Sequence, residues 1–320
     1  MRTVVIYHRK CIDGIIAAWT VLNKYARDKS ETTTDFVRSV ENDIDTIAVD
    51  YQVVDESIIE ICREANVFIV DFSFLPEMLN RLAIVANSIV VIDHHKSAIN
   101  KLEGYTNDKV TLVLDINKSG AGLTWEYFNK DLPLPTLLQL AQDYDLWIHQ
   151  YPQSKAVVRG LYHLDVAGEE NWGLLDQLAV SDDALISIIE LGNTIIESEI
   201  KYIESVARDS LTIVKFMGYK VPLLPVHHKL ASIAGELLNN TESFPFAITY
   251  DYVNPEANFP HGYIRLSLRS RKDGGADLFP IVTPFGGGGQ GSAAGIKVDR
   301  NNFKYIDEFI NMNTDGFVMK

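Results

Sequence analysis

Apolar and polar positions follow two alternating periods through the first half of the chain. Thr3-Val4-Val5-Ile6-Tyr7 is a short β-branched run and reads as a strand. Gly14 to Tyr25 then places Ile15, Ile16, Ala18, Trp19 and Leu22 on one side of a helix. Ile47 to Tyr51 and Ser57 to Ala65 repeat the strand–helix order more weakly. Val67-Phe68-Ile69-Val70-Asp71 is the next strand, and the helix after it begins near Pro76, a residue suited to the first helical turn. Ser88-Ile89-Val90-Val91-Ile92 is a buried strand, and Gly120–Lys130 and Thr136–Asp145 are two further helices with a Pro-containing break between them. Such alternation predicts an α/β fold: a mostly parallel sheet with helices on both faces.

The second half has a different texture. A long helical run, 183–210, carries Ile188, Leu191, Ile195, Ile196, Ile200 and Ile203 and reads as a helical connector, although a core helix of either neighbour would show the same spacing. Strand-like runs follow at 212–216, 219–225, 246–252, 262–268 and 295–298, with helices at 230–238 and 305–312. The expected organisation is an N-terminal domain over 1–182, the connector over 183–210 and a smaller α/β domain over 211–320.

Composition changes this picture little. The 320 residues are 47% hydrophobic and 22% charged, as in ordinary globular proteins. The formal net charge of -14 argues against a grip on long nucleic acid, because a long phosphate backbone is repelled unless basic residues are concentrated locally. Small anions remain open, held by a metal or a few arginines. The two cysteines, Cys11 and Cys62, make neither a disulfide framework nor a zinc spacing. No stretch approaches the roughly 20 apolar residues that cross a bilayer, and the opening run is too short for a signal peptide, so no membrane partner and a cytoplasmic location are expected.

The chemistry concentrates at element ends. His8-Arg9-Lys10-Cys11-Ile12-Asp13-Gly14 follows the first strand, Asp71 ends another, Asp93-His94-His95 follows Ile92, and Asp143-Tyr144-Asp145 closes a helix. Taken singly, Asp71 is an ordinary cap or turn residue, Asp143 and Asp145 a solvated helix end, and His8 a packed histidine. Together they place oxygen and nitrogen donors where open α/β sheets bind ligands, and converging carboxylates need cations to be tolerable. In the second half, Phe285 to Gly295 contains Gly286-Gly287-Gly288-Gly289-Gln290, a run that lets backbone N–H groups approach an anion or that serves as a plain hinge. Ala293 and Ala294 fit a helix or turn packed behind it. Arg269 and Arg271 would share one side of a strand, either gripping phosphate or lining a solvated edge. His227 and His228, if on a strand, point to opposite faces and would not share one ion, so they read as structural or substrate-adjacent. Ser119-Gly120-Ala121-Gly122 reads as a helix start, with a phosphate contact as the secondary reading.

In this order the motifs resemble those of the DHH phosphoesterase superfamily over nearly the whole chain, and its oligoribonuclease and exopolyphosphatase-like branch in particular. The resemblance implies a DHH catalytic domain with a two-metal centre, usually Mn²⁺, with Mg²⁺ or another divalent ion as alternatives, and a DHH-associated substrate-binding domain. Carried onto this chain, it implies that Asp71 bridges the metals and that Asp13, His94 and Asp143 complete one site, with Asp145 as the alternative to Asp143. His8 falls on the other site, His95 faces the substrate phosphate, and Asp93 orients the histidines. Arg269, Arg271, Gly286, Gly287, Gly288, Gly289 and Gln290 fall at substrate-binding positions. Two departures stand out. Cys11 occupies a position where the family carries an Asp, as a thiolate ligand or as a small buried residue; the H-x-x-C-x-D-G pattern is similar to that of an exopolyphosphatase-like branch. Gln290 stands where the family carries His and cannot take a positive charge.

The resemblance implies a hydrolase acting on ester bonds, and short oligonucleotides or dinucleotides, cut 3′–5′ by a metal-activated water, suit an acidic protein with a few local contacts. The alternatives are a polyphosphate or pyrophosphate hydrolase, and a nucleotide-binding module that the Cys11 and Gln290 changes have weakened catalytically. Oligomeric state is open, a dimer included.

Overall fold

The computed structural model describes residues 2–39, 44–49, 56–166, 171–239, 244–271 and 273–312, with the side chains of Arg38, Ser39 and Gln290 also outside the description. Asp50 and Tyr51, the end of the second predicted strand, lie outside these residues. Contacts divide the chain into two compact units, Met1–Ile196 and Glu197–Lys320.

The first unit runs β1 (Thr3–His8), α1 (Ile12–Asp28), α2 (Thr33–Ser39), β2 (Ile44–Val49), α3 (Ser57–Ile61), β3 (Asn66–Val70), α4 (Pro76–Val85), β4 (Ser88–Asp93), α5 (Lys96–Lys101), β5 (Val110–Leu114), α6 (Gly120–Phe128), α7 (Thr136–Asp145), α8 (Ser154–His163) and α9 (Trp172–Val180). The long α10 (Asp182–Ser210) crosses the boundary into the second unit. All strand pairs of the first sheet are parallel, in the order β2-β1-β3-β4-β5. The central strands β1, β3 and β4 are buried on both faces, and alternate residues feed different layers. Val5, Tyr7, Phe68, Val70, Val90 and Ile92 pack with residues of α1, α6, α7, α8 and α9. Val4, Ile6, Val67, Ile69, Ile89 and Val91 pack with residues of α3 and α4. This is the three-layer arrangement that near-continuous apolar strands require.

Strand order reverses between β1 and β3, the crevice where such sheets place their ligands. The register sets Tyr7 beside Val70 and Val70 beside Ile92. His8, Asp71 and Asp93 therefore emerge at one level on three neighbouring strands.

The second unit continues with β6 (Thr212–Phe216), β7 (Tyr219–Pro225), α11 (Ala231–Asn239), β8 (Ala247–Val253), β9 (Tyr263–Arg269), α12 (Phe279–Val282), β10 (Gly288–Gln290), β11 (Ala293–Asp299) and α13 (Ile306–Met312). Its mixed sheet has the order β10-β11-β9-β8-β7-β6, with Ile248, Ile264, Leu266, Leu268 and Ile296 in its core. One expectation fails here: Ala293 and Ala294 lie in β11, paired with β10, and not in a helix or turn. The reason is packing. A Cβ at Gly289 would stand 2.5 Å from the Ala294 Cα, so small residues on both strands let the hairpin close. No helix among the described residues is long and apolar enough to cross a membrane.

Candidate metal centre

The site grows from the carboxyl ends of β1, β3 and β4. Asp71, the first residue beyond β3, adopts a left-handed backbone with φ 53°, a conformation that Asp tolerates better than most residues. Its N–H donates to the Ile92 carbonyl at 2.9 Å, extending the ladder by one step while the chain turns. The side chain is fully buried. Its Oδ1 lies 3.2 Å from His94 Nε2 and 3.9 Å from His95 Nδ1, and its Oδ2 lies 3.6 Å from His8 Nδ1.

Two helix starts press close around it. A Cβ on Gly14, in the first turn of α1, would come within 2.6 Å of the His8 carbonyl and 3.1 Å of Asp71 Oδ2. A Cβ on Gly120, the first residue of α6, would come within 2.5 Å of the Asp71 Cβ. Asp13, also in the first turn of α1, has Oδ1 accepting from the Ala121 N–H at 3.2 Å and Oδ2 at 4.0 Å from His94 Nε2. Ser119 caps α6 by accepting from the Gly122 N–H.

Asp93 is wholly buried and its oxygens are taken. Oδ1 accepts from the N–H groups of His94 at 2.7 Å and His95 at 3.1 Å, and lies 2.8 Å from His95 Nδ1. Oδ2 accepts from the Ser73 hydroxyl at 2.6 Å. Asp93 therefore positions the two histidines and directs no lone pair into the cluster. Holding the proton on His95 Nδ1, it leaves Nε2 for a ligand or a substrate oxygen.

Two sets of side chains offer ligand atoms within 4.8 Å of one another: Asp13, Asp71 and His94, and His8, Asp71 and His95. Asp71 is common to both. Asp145 adjoins the first set, with Oδ2 3.4 Å from His94 Nε2. Asp143 requires a correction. Its carboxylate accepts from the N–H groups of Gln150 at 2.8 Å and Tyr151 at 3.2 Å, so it braces the loop after α7, and it belongs to neither set. Of the two aspartates at the end of α7, the geometry brings Asp145 to the histidine. Cys11 precedes α1 and belongs to neither set.

The electrostatics are those of crowded carboxylates. Burial, then the charges of Asp71 and Asp145, pushes the Asp13 carboxyl well up. Burial and Asp71 push up Asp145. Burial alone would raise Asp71 too, but contacts with His8 and His94 and the charge of His95 outweigh it and hold Asp71 below the usual carboxylate range. Burial opposes charge on His94, yet Asp71, Asp13 and Asp145 together raise it to about 9. The Cys11 thiol is pushed up by burial and then by Asp71, Asp13 and Asp145, which keeps it protonated when no cation is bound.

The donor set fits divalent cations. Asp13 Oδ2, both Asp71 oxygens and His94 Nε2 are buried and make no hydrogen bond. Buried polar atoms are nearly always satisfied, so four such atoms at one sheet edge make this a candidate ligand position. Mixed carboxylate and imidazole donors suit Mn²⁺, Fe²⁺ or Zn²⁺. Sequence reasoning missed Ser73; it named Gly14 in a motif and Gly120 at a helix start, but not their close packing against Asp71. A lone polar residue between Phe72 and Phe74, both buried, was the available signal for Ser73.

The predicted substrate residues lie in the second unit. Arg269 ends β9 and lies along α11, donating to Ser232 Oγ at 3.1 Å and to the Leu268 carbonyl at 2.9 Å. Arg271 lies beyond the strand, so strand alternation does not set its side. In the glycine run, Gly287 and Gly289 have no room for a side chain, whereas Gly286 and Gly288 face open space.

No protein-family model matches the chain. Among curated proteins it is 26% identical over 302 residues to the uncharacterized protein R106 of Acanthamoeba polyphaga mimivirus, a match covering 92% of this chain and 66% of that protein. The chain thus spans just under two thirds of that relative's length. Among solved structures it is similar to the DHH domain of a member of the s1p family of ribosomal proteins, with a TM-score of 0.62 at 14% identity over 97% of this chain and 86% of the other. It is also similar to RecJ from Thermus thermophilus in complex with Mn²⁺, with a TM-score of 0.51 at 13% identity over 97% of this chain and 52% of the other. At these identities the likeness is one of fold: the chain has the α/β fold of DHH proteins.

Proposed function

We propose that this chain, built on the DHH fold, is a divalent-cation-dependent phosphoesterase whose substrates are short phosphorylated molecules. The observation that carries this reading is the gathering of His8, Asp13, Asp71, His94 and Asp145 at one sheet edge, with both Asp71 oxygens buried and free of hydrogen bonds. In this reading Asp13, Asp71, His94 and Asp145 hold one cation, and His8 and Asp71 hold a second. Manganese is the favoured ion, supported by the donor set and by the Mn²⁺ complex of RecJ. When bound, such ions lower the pKa of a coordinated water and neutralise charge on a leaving oxygen.

The chain's own groups do the rest. Asp93 locks the orientation of His95, and Ser73 locks Asp93. Burial disfavours charge on His95, but Asp93 and Asp71 overcome this and raise its pKa. His95 is thus able to carry a proton toward developing negative charge on the substrate phosphate. The α6 N-terminus fixes Asp13 through the Ala121 N–H. Within the second unit, Arg269, Arg271, the Gly286–Gly289 backbone and Gln290 are assigned to substrate binding.

Short oligonucleotides and dinucleotides, cut 3′–5′, are the preferred substrates, because a net charge of -14 disfavours long nucleic acid. The test is a Mn²⁺-supplemented panel of a linear dinucleotide, a short oligoribonucleotide, pyrophosphate and polyphosphate. Mononucleotide release with little phosphoanhydride cleavage supports the reading. Preferential cleavage of pyrophosphate or polyphosphate replaces it with a phosphoanhydride hydrolase. Metal binding without turnover of any of them makes the chain a nucleotide-binding module.

A further inference from the structure

His227 and His228 do not lie on a strand. β7 ends at Pro225, and His227 stands at the start of a 3₁₀ turn, His228–Leu230, with φ -55° and ψ 140°. Strand alternation therefore does not separate the rings, whose centroids are 4.2 Å apart. Asp251 reaches the same place from β8. β7 and β8 pair in parallel with Pro225 opposite Tyr250, and the Val226 N–H donates to the Tyr250 carbonyl at 3.1 Å. Asp251 Oδ2 accepts from the His228 N–H at 3.2 Å and lies 3.3 Å from His228 Nδ1. One ligand atom from each of His227, His228 and Asp251 lies within 4.8 Å of the others.

We propose that His227, His228 and Asp251, in the second unit, form a further cation site that takes Zn²⁺ or a similar borderline divalent ion. Two imidazoles and one carboxylate are the donors of three-ligand zinc sites, which leave a fourth position for water or an anionic oxygen. Hard ions such as Mg²⁺ and Ca²⁺ favour oxygen shells and match this set poorly. The spacing agrees: zinc–ligand bonds of about 2.0–2.2 Å put tetrahedral ligand atoms roughly 3.3–3.5 Å apart, and His228 Nδ1 and Asp251 Oδ2 stand 3.3 Å apart.

The surroundings favour the same ion. Arg265, opposite Asp251 across β8 and β9, has its Nε 3.9 Å from Asp251 Oδ1 and so engages the oxygen that the ion leaves. The bond from the Lys229 N–H to His227 Nδ1 is long, 3.3 Å, and little is lost if an ion takes that nitrogen. Both histidines are exposed, so an ion has access without rearrangement of the core.

The test uses the full chain loaded with ZnCl₂, desalted, and assayed for zinc per chain by mass spectrometry. Wild type is compared with His227→Ala and Asp251→Asn, neither of which is among the residues assigned to the Asp71 cluster. Each variant is expected to hold one zinc fewer per chain than wild type, and to lose the corresponding visible absorption when Co²⁺ replaces Zn²⁺. Since His227 is exposed, its variant keeps the fold even if the Asp251 substitution disturbs β8. Equal zinc content in wild type and the His227→Ala variant overturns the proposal.

Discussion

Gly120 lies against Asp71 so closely that a single added carbon at position 120 would sit 2.5 Å from the Asp71 Cβ and 2.8 Å from its Cα. Both contacted atoms belong to a residue already held in a left-handed conformation by its bond to Ile92. The contact leaves no flexible side chain to move aside. Gly120→Ala is expected to cost about 1–3 kcal/mol through overpacking and to displace the Asp71 carboxylate. Urea unfolding and a Mn²⁺ titration measure the two effects. Wild-type values in both would show that the α6 start does not position Asp71.

Ser73 is expected to matter without touching substrate. Ser73→Ala removes the hydroxyl that satisfies Asp93 Oδ2 and leaves a buried acceptor unpaired, at a cost of about 1–3 kcal/mol. Loosened histidines should weaken Mn²⁺ affinity by roughly 10- to 100-fold, the usual scale for groups that orient metal ligands. Isothermal titration with Mn²⁺ reads this directly. Restoration by Ser73→Thr, which keeps the hydroxyl, separates a positioning role from a packing role.

Asp143 and Asp145 should divide stability from chemistry. Asp143→Asn weakens the brace on the Gln150 and Tyr151 N–H groups and is expected to lower the unfolding temperature while most Mn²⁺ binding persists. Asp145→Asn is expected to do the reverse, because it removes charge beside His94 and Asp71 and relieves repulsion in the cation-free protein. Thermal unfolding with and without Mn²⁺ compares the two. Loss of Mn²⁺ binding in Asp143→Asn alone would reverse the assignment.

Much of this arrangement was legible in the chain because its periods are clean. Val4 to Tyr7, Val67 to Val70 and Ile89 to Ile92 are β-branched runs bounded by polar residues, and they became adjacent strands in register. The acidic and imidazole residues at their ends needed only that register to meet. The edge strand β5 was not legible: Val110-Thr111-Leu112-Val113-Leu114 is only half-buried and gives no clear signal. Helix α8 was missed because Val157, Val158 and Gly160 disfavour a helix locally, and burial against the core overrides that preference. The choice between Asp143 and Asp145 was beyond any reading of spacing, since it depends on where the following loop returns its N–H groups. The paired histidines at 227 and 228 were set apart only on the supposition of a strand, whereas a 3₁₀ turn begins there, beyond the end of β7.

The pH dependence follows from His94. Its pKa in the folded, cation-free protein is about 9, against 6.5 for an ordinary histidine. The raised value means that the protonated ring stabilises the fold fully below about pH 6.5, and that this contribution is lost as pH rises through 9. Cation-free protein should therefore unfold at lower temperature at pH 9 than at pH 6.5. Mn²⁺ affinity should rise over the same interval, because a cation binds only the neutral ring. Thermal unfolding of chelator-treated protein, repeated with His94→Gln, checks both. A flat profile in wild type, or an unchanged slope in the variant, would contradict the role given to His94.

The most direct measurement is anomalous diffraction at the manganese edge from crystals grown with Mn²⁺. Two peaks flanking the Asp71 carboxylate, one against Asp13, His94 and Asp145 and the other against His8, are the predicted result. A map without manganese at Asp71 would contradict the proposed centre and the hydrolysis that depends on it.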